Sequence, residues 1–245
     1  MFEIKKQLSR LYASSVAGNL SLTGAWVAIL ASRGFSLVEI SIAETVFHIT
    51  SLLFEIPSGI LADVFGRKKM LIVSTLMNMI GSAVMIASNS LAGVCVAIAF
   101  IALTYNFASG SGDALAYDSL KLAHAEERFE KYESNQLVIY RLCSGLSTLC
   151  AGFALHIGHR LAYSTALVMG LIQLVILFGL HEVHADERSR ALPFGTRLMG
   201  CFRESWAFMA QAKKAFGLML GNSLVGAMDI LLLFFLQAKR SLSSS

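Results

Sequence analysis

The sequence predicts an all-α membrane protein: a six-helix transmembrane bundle, a linker and a seventh helix. Three observations carry this. Of 245 residues, 56% are hydrophobic and 15% are charged, against ~25% charged in an ordinary soluble domain. Mean hydropathy over the whole length is +0.64, which excludes a disordered chain, a coiled coil, a disulfide scaffold and a nucleic-acid-binding domain. Apolar runs long enough to cross a bilayer recur seven times, and Lys and Arg favour alternate loops between them.

A bilayer core ~30 Å thick needs ~20 mostly apolar residues to cross as a helix. The predicted spans are Leu11–Ala31, Val38–Ala62, Met70–Ala87, Leu91–Gly112, Leu137–Ile157, Ala162–Leu180 and Phe216–Gln237. They are helices because a lipid-exposed backbone must bond to itself. A barrel would show short alternating strands and many turn residues. The first span is too long for a removable signal peptide and lacks a small-residue cleavage site. With the N-terminus in the cytoplasm, sixteen of the 20 basic residues fall inside and four outside, as the positive-inside rule requires. The expected location is the cell membrane, with many passes.

The organisation follows. Residues 1–180 form the bundle and 181–215 a cytoplasmic linker. Residues 216–237 form the seventh helix and 238–245 a tail. Within the linker, Leu198, Phe202, Trp206 and Met209 recur at helical spacing among basic residues, so an amphipathic helix is expected in the inner interface. Cys95, Cys143, Cys150 and Cys201 form no CxxC pair. No metal or cofactor is implied.

Between spans two and three stands Gly59-Ile-Leu-Ala-Asp63-Val-Phe-Gly66-Arg67-Lys68-Lys69. Gly59 permits close helix approach, Asp63 ends the second helix at the water boundary, and Gly66 allows the tight turn. This pattern resembles the signature loop of the major facilitator superfamily, in the place that family puts it. Gly158-His-Arg160-Leu-Ala-Tyr163, leading into span six, is a weaker echo. Asp118 in AYDSL, with the acidic stretch after it, resembles the drug-exporter-like bacterial branch. The resemblance implies a six-helix bundle of that family and alternating access about a midplane cavity. It implies a gating role for Gly59, Asp63, Gly66, Arg67, Lys68 and Asp118, with Arg67 paired to Asp118 or Asp113. It also implies that helices one, four and seven line the cavity, which points to Asn19, Tyr105, Asn106, Asn222 and Asp229. The family has twelve helices, so this chain reads as a truncated form lacking five.

Ionisable groups inside a membrane are costly and usually functional. Glu44, His48, Ser51 and Glu55 share one face of span two, since offsets of three and four residues align on a helix. Glu44, His48, Glu55 and Asp229 are therefore proton-coupling candidates. Glu44 and Glu55 lie ~16 Å apart along the axis, too far to touch. Pro57 removes a backbone bond and is expected to bend the helix. Span five lacks the Gly-Pro pattern of the family's drug–proton antiporters. Arg141 is expected to snorkel inward or pair with Asp113 or Asp118.

The expected function is transport of a small solute, proton-coupled and efflux-like. The expected partners are the bilayer, an unidentified small molecule, H+, and either a second copy or a missing C-terminal bundle; nucleic acid is not among them. The competing reading is a non-transporting remnant, or a half-sized protein that acts only through helix association. A seven-helix receptor is opposed by the charge bias. A retinal protein needs a lysine in mid-helix seven, and span seven has none before Lys239. A membrane enzyme is opposed by the absence of HExxH and Gly-x-Ser-x-Gly.

Overall fold

The computed structural model describes residues 3–183 together with scattered helical residues between 195 and 232. The chain forms two compact units, residues 1–190 and 191–245. In the first, the regular elements among the described residues are all helices: α1 (Ile4–Asn19), α2 (Trp26–Ser32), α3 (Leu37–Phe65), α4 (Arg67–Ala87), α5 (Leu91–Ala108), α6 (Ser111–Leu122), α7 (Phe129–Leu149), α8 (Ala151–Ile157) and α9 (His159–Phe178), with one 3-10 turn at Glu126–Arg128. Among the described residues four helices are long and apolar enough to cross a membrane, and five if the bent pair is one span. The amphipathic linker segment lies mostly outside the described residues, as does much of the seventh span.

The first predicted span is not one helix. It is α1 and α2, interrupted at residues 20–25. Gly18, Asn19, Ser21, Thr23 and Gly24 crowd this stretch, and such residues weaken a helix interior. In a membrane the freed backbone must find partners elsewhere. Leu22 N–H donates to Thr165 Oγ1 (3.1 Å) and Gly24 N–H to Ser147 Oγ (3.2 Å). Ser147 Oγ–H in turn donates to the Ser21 carbonyl at 2.6 Å. Side chains of α7 and α9 thus stand in for the missing turn.

α3 opens with a capping box. Glu39 N–H donates to Ser36 Oγ and Ser36 N–H to the Glu39 carboxylate. It then continues as one 29-residue helix past Pro57. α5 was expected to end the fourth span at Gly112. Instead the chain turns at Ser109-Gly110, where Gly110 has φ +68, and α6 carries on for twelve residues. The two together span 32 residues, or ~48 Å at ~1.5 Å per residue. That exceeds a bilayer core, so the α6 end carries Asp118 toward the membrane boundary. The fifth span starts earlier than predicted, at Phe129, and bends by 51° between α7 and α8.

α4 packs chiefly on α5 and α9, and α3 on α5. A buried cluster of Leu11, Leu115, Ala116, Tyr132, Leu177 and Leu180 joins α1, α6, α7 and the end of α9. The end of α9 leaves carbonyls without helical partners, and three side chains satisfy them. Lys68 Nζ donates to the Phe178 and Leu180 carbonyls (3.0 and 2.7 Å). Arg10 donates to the Gly179 carbonyl. Gln7 donates to the His181 carbonyl (2.8 Å) and accepts from its N–H (3.0 Å).

Candidate functional site

The α3–α4 hairpin turns on a single residue. Gly66 ends α3 and precedes α4 with φ +102 and ψ 146, a region only glycine enters readily. Its own N–H donates to the Ala62 carbonyl at 3.0 Å. Having no side chain, Gly66 cannot cap α4, and Glu182 does so instead. Both Glu182 carboxylate oxygens accept from the Lys68 N–H, at 3.2 and 3.1 Å. An anion there is favoured by the helix dipole.

The next two residues reach in different directions. Arg67 Nη1 lies 2.7 Å from Asp118 Oδ2 on α6. The Asp118 side chain is 6% exposed and that of Arg67 23%. The contact is a close ion pair without the alignment of a hydrogen bond at that oxygen. Lys68 turns to α9, as described above. So the structure pairs Arg67 with Asp118 and not with Asp113. Asp63 is exposed at the end of α3. Gly59 differs from expectation: it is exposed, and a Cβ there would meet nothing within 4 Å. Among the described residues no helix approaches it.

A cleft of ~460 Å³ enters the bundle between α1, α4, α5 and α7. Asn19, Tyr105 and Asp113 line it, with Asn78, Gln136 and Gln173. Among the described residues no Lys, Arg or His lines it. Phe47, Asn78 and Ile101 also line a second cavity of ~270 Å³ that includes Glu44, Trp26 and Tyr163. The two cavities thus share a wall.

Of the predicted cavity residues, Asn19 and Tyr105 face the larger cleft. Asn19 also donates to the Ser15 carbonyl at 2.8 Å. Asn106 does not face it. It is 1% exposed, and its Nδ2 donates to the Ser51 carbonyl and to Glu55 Oε2, both at 2.9 Å. It serves as a bridge between α5 and α3. Its Oδ1 is buried without a hydrogen-bond partner. Asn222 is helical and exposed in the second unit, whereas Asp229 lies outside the described residues.

The acidic stripe of α3 resolves into two separate pairs. His48 Nε2 lies 3.2 Å from Glu44 Oε1, and Glu55 is held by Asn106. Glu55 follows His48 by seven positions, ~10 Å of helix. Arg141 does not pair with Asp113 or Asp118; its guanidinium lies 5.9 Å from the centre of the Tyr140 ring.

Sequence reasoning passed over Glu182, Ser147, Asn78 and Gln173. The signal for three of them was a polar residue inside an apolar span. For Glu182 it was an acid just beyond a span, at the end of the bundle that carries the signature loop.

The family model described as Major Facilitator Superfamily matches residues 10–244. An uncharacterized transporter of Buchnera aphidicola subsp. Schizaphis graminum (strain Sg) is 37% identical over 57 residues, 23% of this chain. That match covers 15% of the relative's own length.

Proposed function

The chain belongs to the major facilitator superfamily, and on that premise we propose that it moves a small solute across the cell membrane by alternating access. The Arg67–Asp118 pair is the observation that carries this reading. A buried ion pair stabilises little by itself against an apolar alternative, but it specifies one arrangement, as a two-state gate requires. The hairpin Gly59–Lys68 then holds one state, and the exposed Asp63 at its start meets the other half of the transporter. The N-terminus lies in the cytoplasm, on the side of the basic residues.

The finer reading is efflux coupled to protons, as in the drug-exporter-like branch. Glu44 with His48, and Glu55 with Asn106, are the two α3 stations that exchange the proton. Asp229 is the candidate on span seven. Asn19 and Tyr105 contact the solute in the cleft; Asn222 is the cavity candidate on the seventh span, and Asn106 supports Glu55. Ethidium accumulation in energised inside-out vesicles tests this. The expected result is accumulation that collapses with a protonophore, is abolished in Asp118→Asn, and loses its pH dependence in Glu44→Gln. Ethidium accumulation unaffected by all three would refute proton-coupled efflux of that probe.

A further inference from the structure

A second groove, which shares Tyr132 with the cleft, lies between α1 and α7, at the end of the bundle that carries Arg67. It encloses ~320 Å³, the liquid volume of roughly ten waters. One wall is Lys5, Leu8, Ser9 and Tyr12, and the other is Arg128, Lys131, Tyr132 and Asn135. Each set runs i, i+3, i+4, i+7, the spacing of a single helix face. The two stripes face each other with their cations at the same end.

The charge of the groove is one-sided. Three cations line it and no carboxylate does. Yet residues 126–133 contain Glu126, Glu127, Glu130 and Glu133. Glu130 and Glu133 each follow a lining cation by two residues, which places them ~200° around the helix. Glu126 and Glu127 sit on the 3-10 turn before α7. The ion pairs Glu44–His48 and Arg67–Asp118 lie on other helices. Lys5, Arg128 and Lys131 make no ion pair among the described residues.

The floor has a different character. Tyr12 and Tyr132 stack with ring centres 5.2 Å apart, and Tyr132 is 1% exposed. Asn135 Nδ2 donates to Tyr12 Oη at 3.1 Å and joins the two walls. Leu8 completes an apolar shelf beneath the charges. A cationic mouth over an aromatic and aliphatic floor matches a molecule that is anionic at its tip and apolar below.

We propose that this groove binds the phosphate of an anionic phospholipid headgroup, strapping α1 to α7. Basic pockets between membrane helices attract such lipids. A free phosphate satisfies the cations but not the floor.

Native mass spectrometry of the full chain in neutral detergent tests this, with dioctanoyl phosphatidylglycerol, dioctanoyl phosphatidylcholine and inorganic phosphate as probes. Phosphatidylglycerol should bind saturably, at least tenfold more tightly than either of the others. Removing one cation should weaken it on the order of fivefold. Lys5→Gln/Arg128→Gln/Lys131→Gln should weaken it about a hundredfold on the same basis. The charge-matched control Lys6→Gln/Arg141→Gln/Arg160→Gln should bind as the parent does.

Equal binding of phosphatidylcholine, or equal losses in the two triple variants, overturns the proposal. So does an undiminished affinity in the groove variant. Inorganic phosphate binding as tightly as the lipid would make the groove a free-phosphate site and overturn the lipid assignment. If the groove variant loses its helical circular dichroism, Lys131→Gln and Lys131→Arg decide alone. The first should weaken phosphatidylglycerol binding about fivefold and the second should restore it; no difference between them overturns the proposal.

Discussion

Gly66→Ala is the perturbation whose cost follows most directly from the structure. The backbone at φ +102 and ψ 146 would strain an alanine by about 1–3 kcal/mol. A Cβ would stand 2.6 Å from Glu182 Oε2 and 2.8 Å from its Cδ. The carboxylate must then leave, and with it go the bonds to the Lys68 N–H. A hydrogen bond to a charged group contributes about 1.5–3 kcal/mol. Glu182 is only half-buried, so the lower end of that range, about 1.5 kcal/mol, applies, and with the strain the sum is about 2.5–4.5 kcal/mol. For a chain of this size each kcal/mol shifts the melting temperature by about 2–4 °C, which gives a fall of roughly 5–18 °C. Thermal melting of the purified protein in detergent, read as surviving monodisperse fraction, measures it. Gly59→Ala is the control. It lies within α3 facing open space, so the melting temperature should stay level or rise, because alanine favours a helix by about 0.5–1 kcal/mol over glycine. In a Glu182→Ala background the carboxylate part disappears, and Gly66→Ala should cost only the strain of about 1–3 kcal/mol. A Gly66→Ala protein that melts with the parent, or an identical cost in both backgrounds, would refute the assignment of Glu182 as the α4 cap.

Three further outcomes are expected. Arg67→Ala leaves the buried Asp118 carboxylate without its cation and should cost about 3 kcal/mol, the lower end for broken buried pairs because Arg67 is partly exposed; adding Asp118→Asn should recover most of it in the same melt. Ser147→Ala strips partners from the Gly24 N–H and the Ser21 carbonyl, at about 1–3 kcal/mol for each group left unsatisfied, and hydrogen exchange at residues 20–25 should quicken while that of α5 does not. Asn106→Leu should change the melting temperature little, since an interhelical membrane hydrogen bond averages only ~0.6 kcal/mol and the substitution also removes the unpaired Oδ1.

What the sequence made legible, and what it hid, divides along physical lines. The loop Gly59–Lys69 was readable because a sharp turn, a positive φ and inward charges each demand particular residue types at fixed spacing. The pairing of Arg67 with Asp118 was narrowed to two acids, and the structure chose Asp118 because α6 resumes after Gly110. That resumption was hidden: SGSGD reads as the end of a span, and a two-residue break looks the same as a terminus in a hydropathy profile. The interruption of the first span was hidden for the same reason, since Leu20, Leu22 and Ala25 keep the stretch apolar while its neighbours break the helix. The partners that make the break tolerable, Ser147 and Thr165, lie more than a hundred residues away in sequence. Asn106 was misplaced by one helix face, a choice that depends on how α3 and α5 pack. Gly59 was read as a packing glycine from its neighbours in sequence, yet it faces open space.

The two cations at the start of α4 also constrain how any gate here can work. Successive residues on a helix point ~100° apart, so Arg67 and Lys68 hold two different neighbours from one turn. Arg67 grips α6, and Lys68 grips the carbonyls that end α9. Gln7 and Arg10 of α1 grip the same α9 end. Any displacement of the α3–α4 hairpin relative to α6 or α9 must break one of these contacts, each anchored by a charge. α3 by contrast leaves Val38, Ile49, Leu52 and Leu53 more than half exposed, and joins the bundle chiefly through α5. Closely packed elements move as units and slide along their weakly held faces. The α4–α6–α9 end should therefore travel as one body. Motion then concentrates at the open face of α3, the face that carries Gly59. A disulfide joining α4 to α9 should leave the proposed transport intact for this reason, whereas a bulky label at Gly59 should block it; the opposite pattern would place the moving joint inside the bundle.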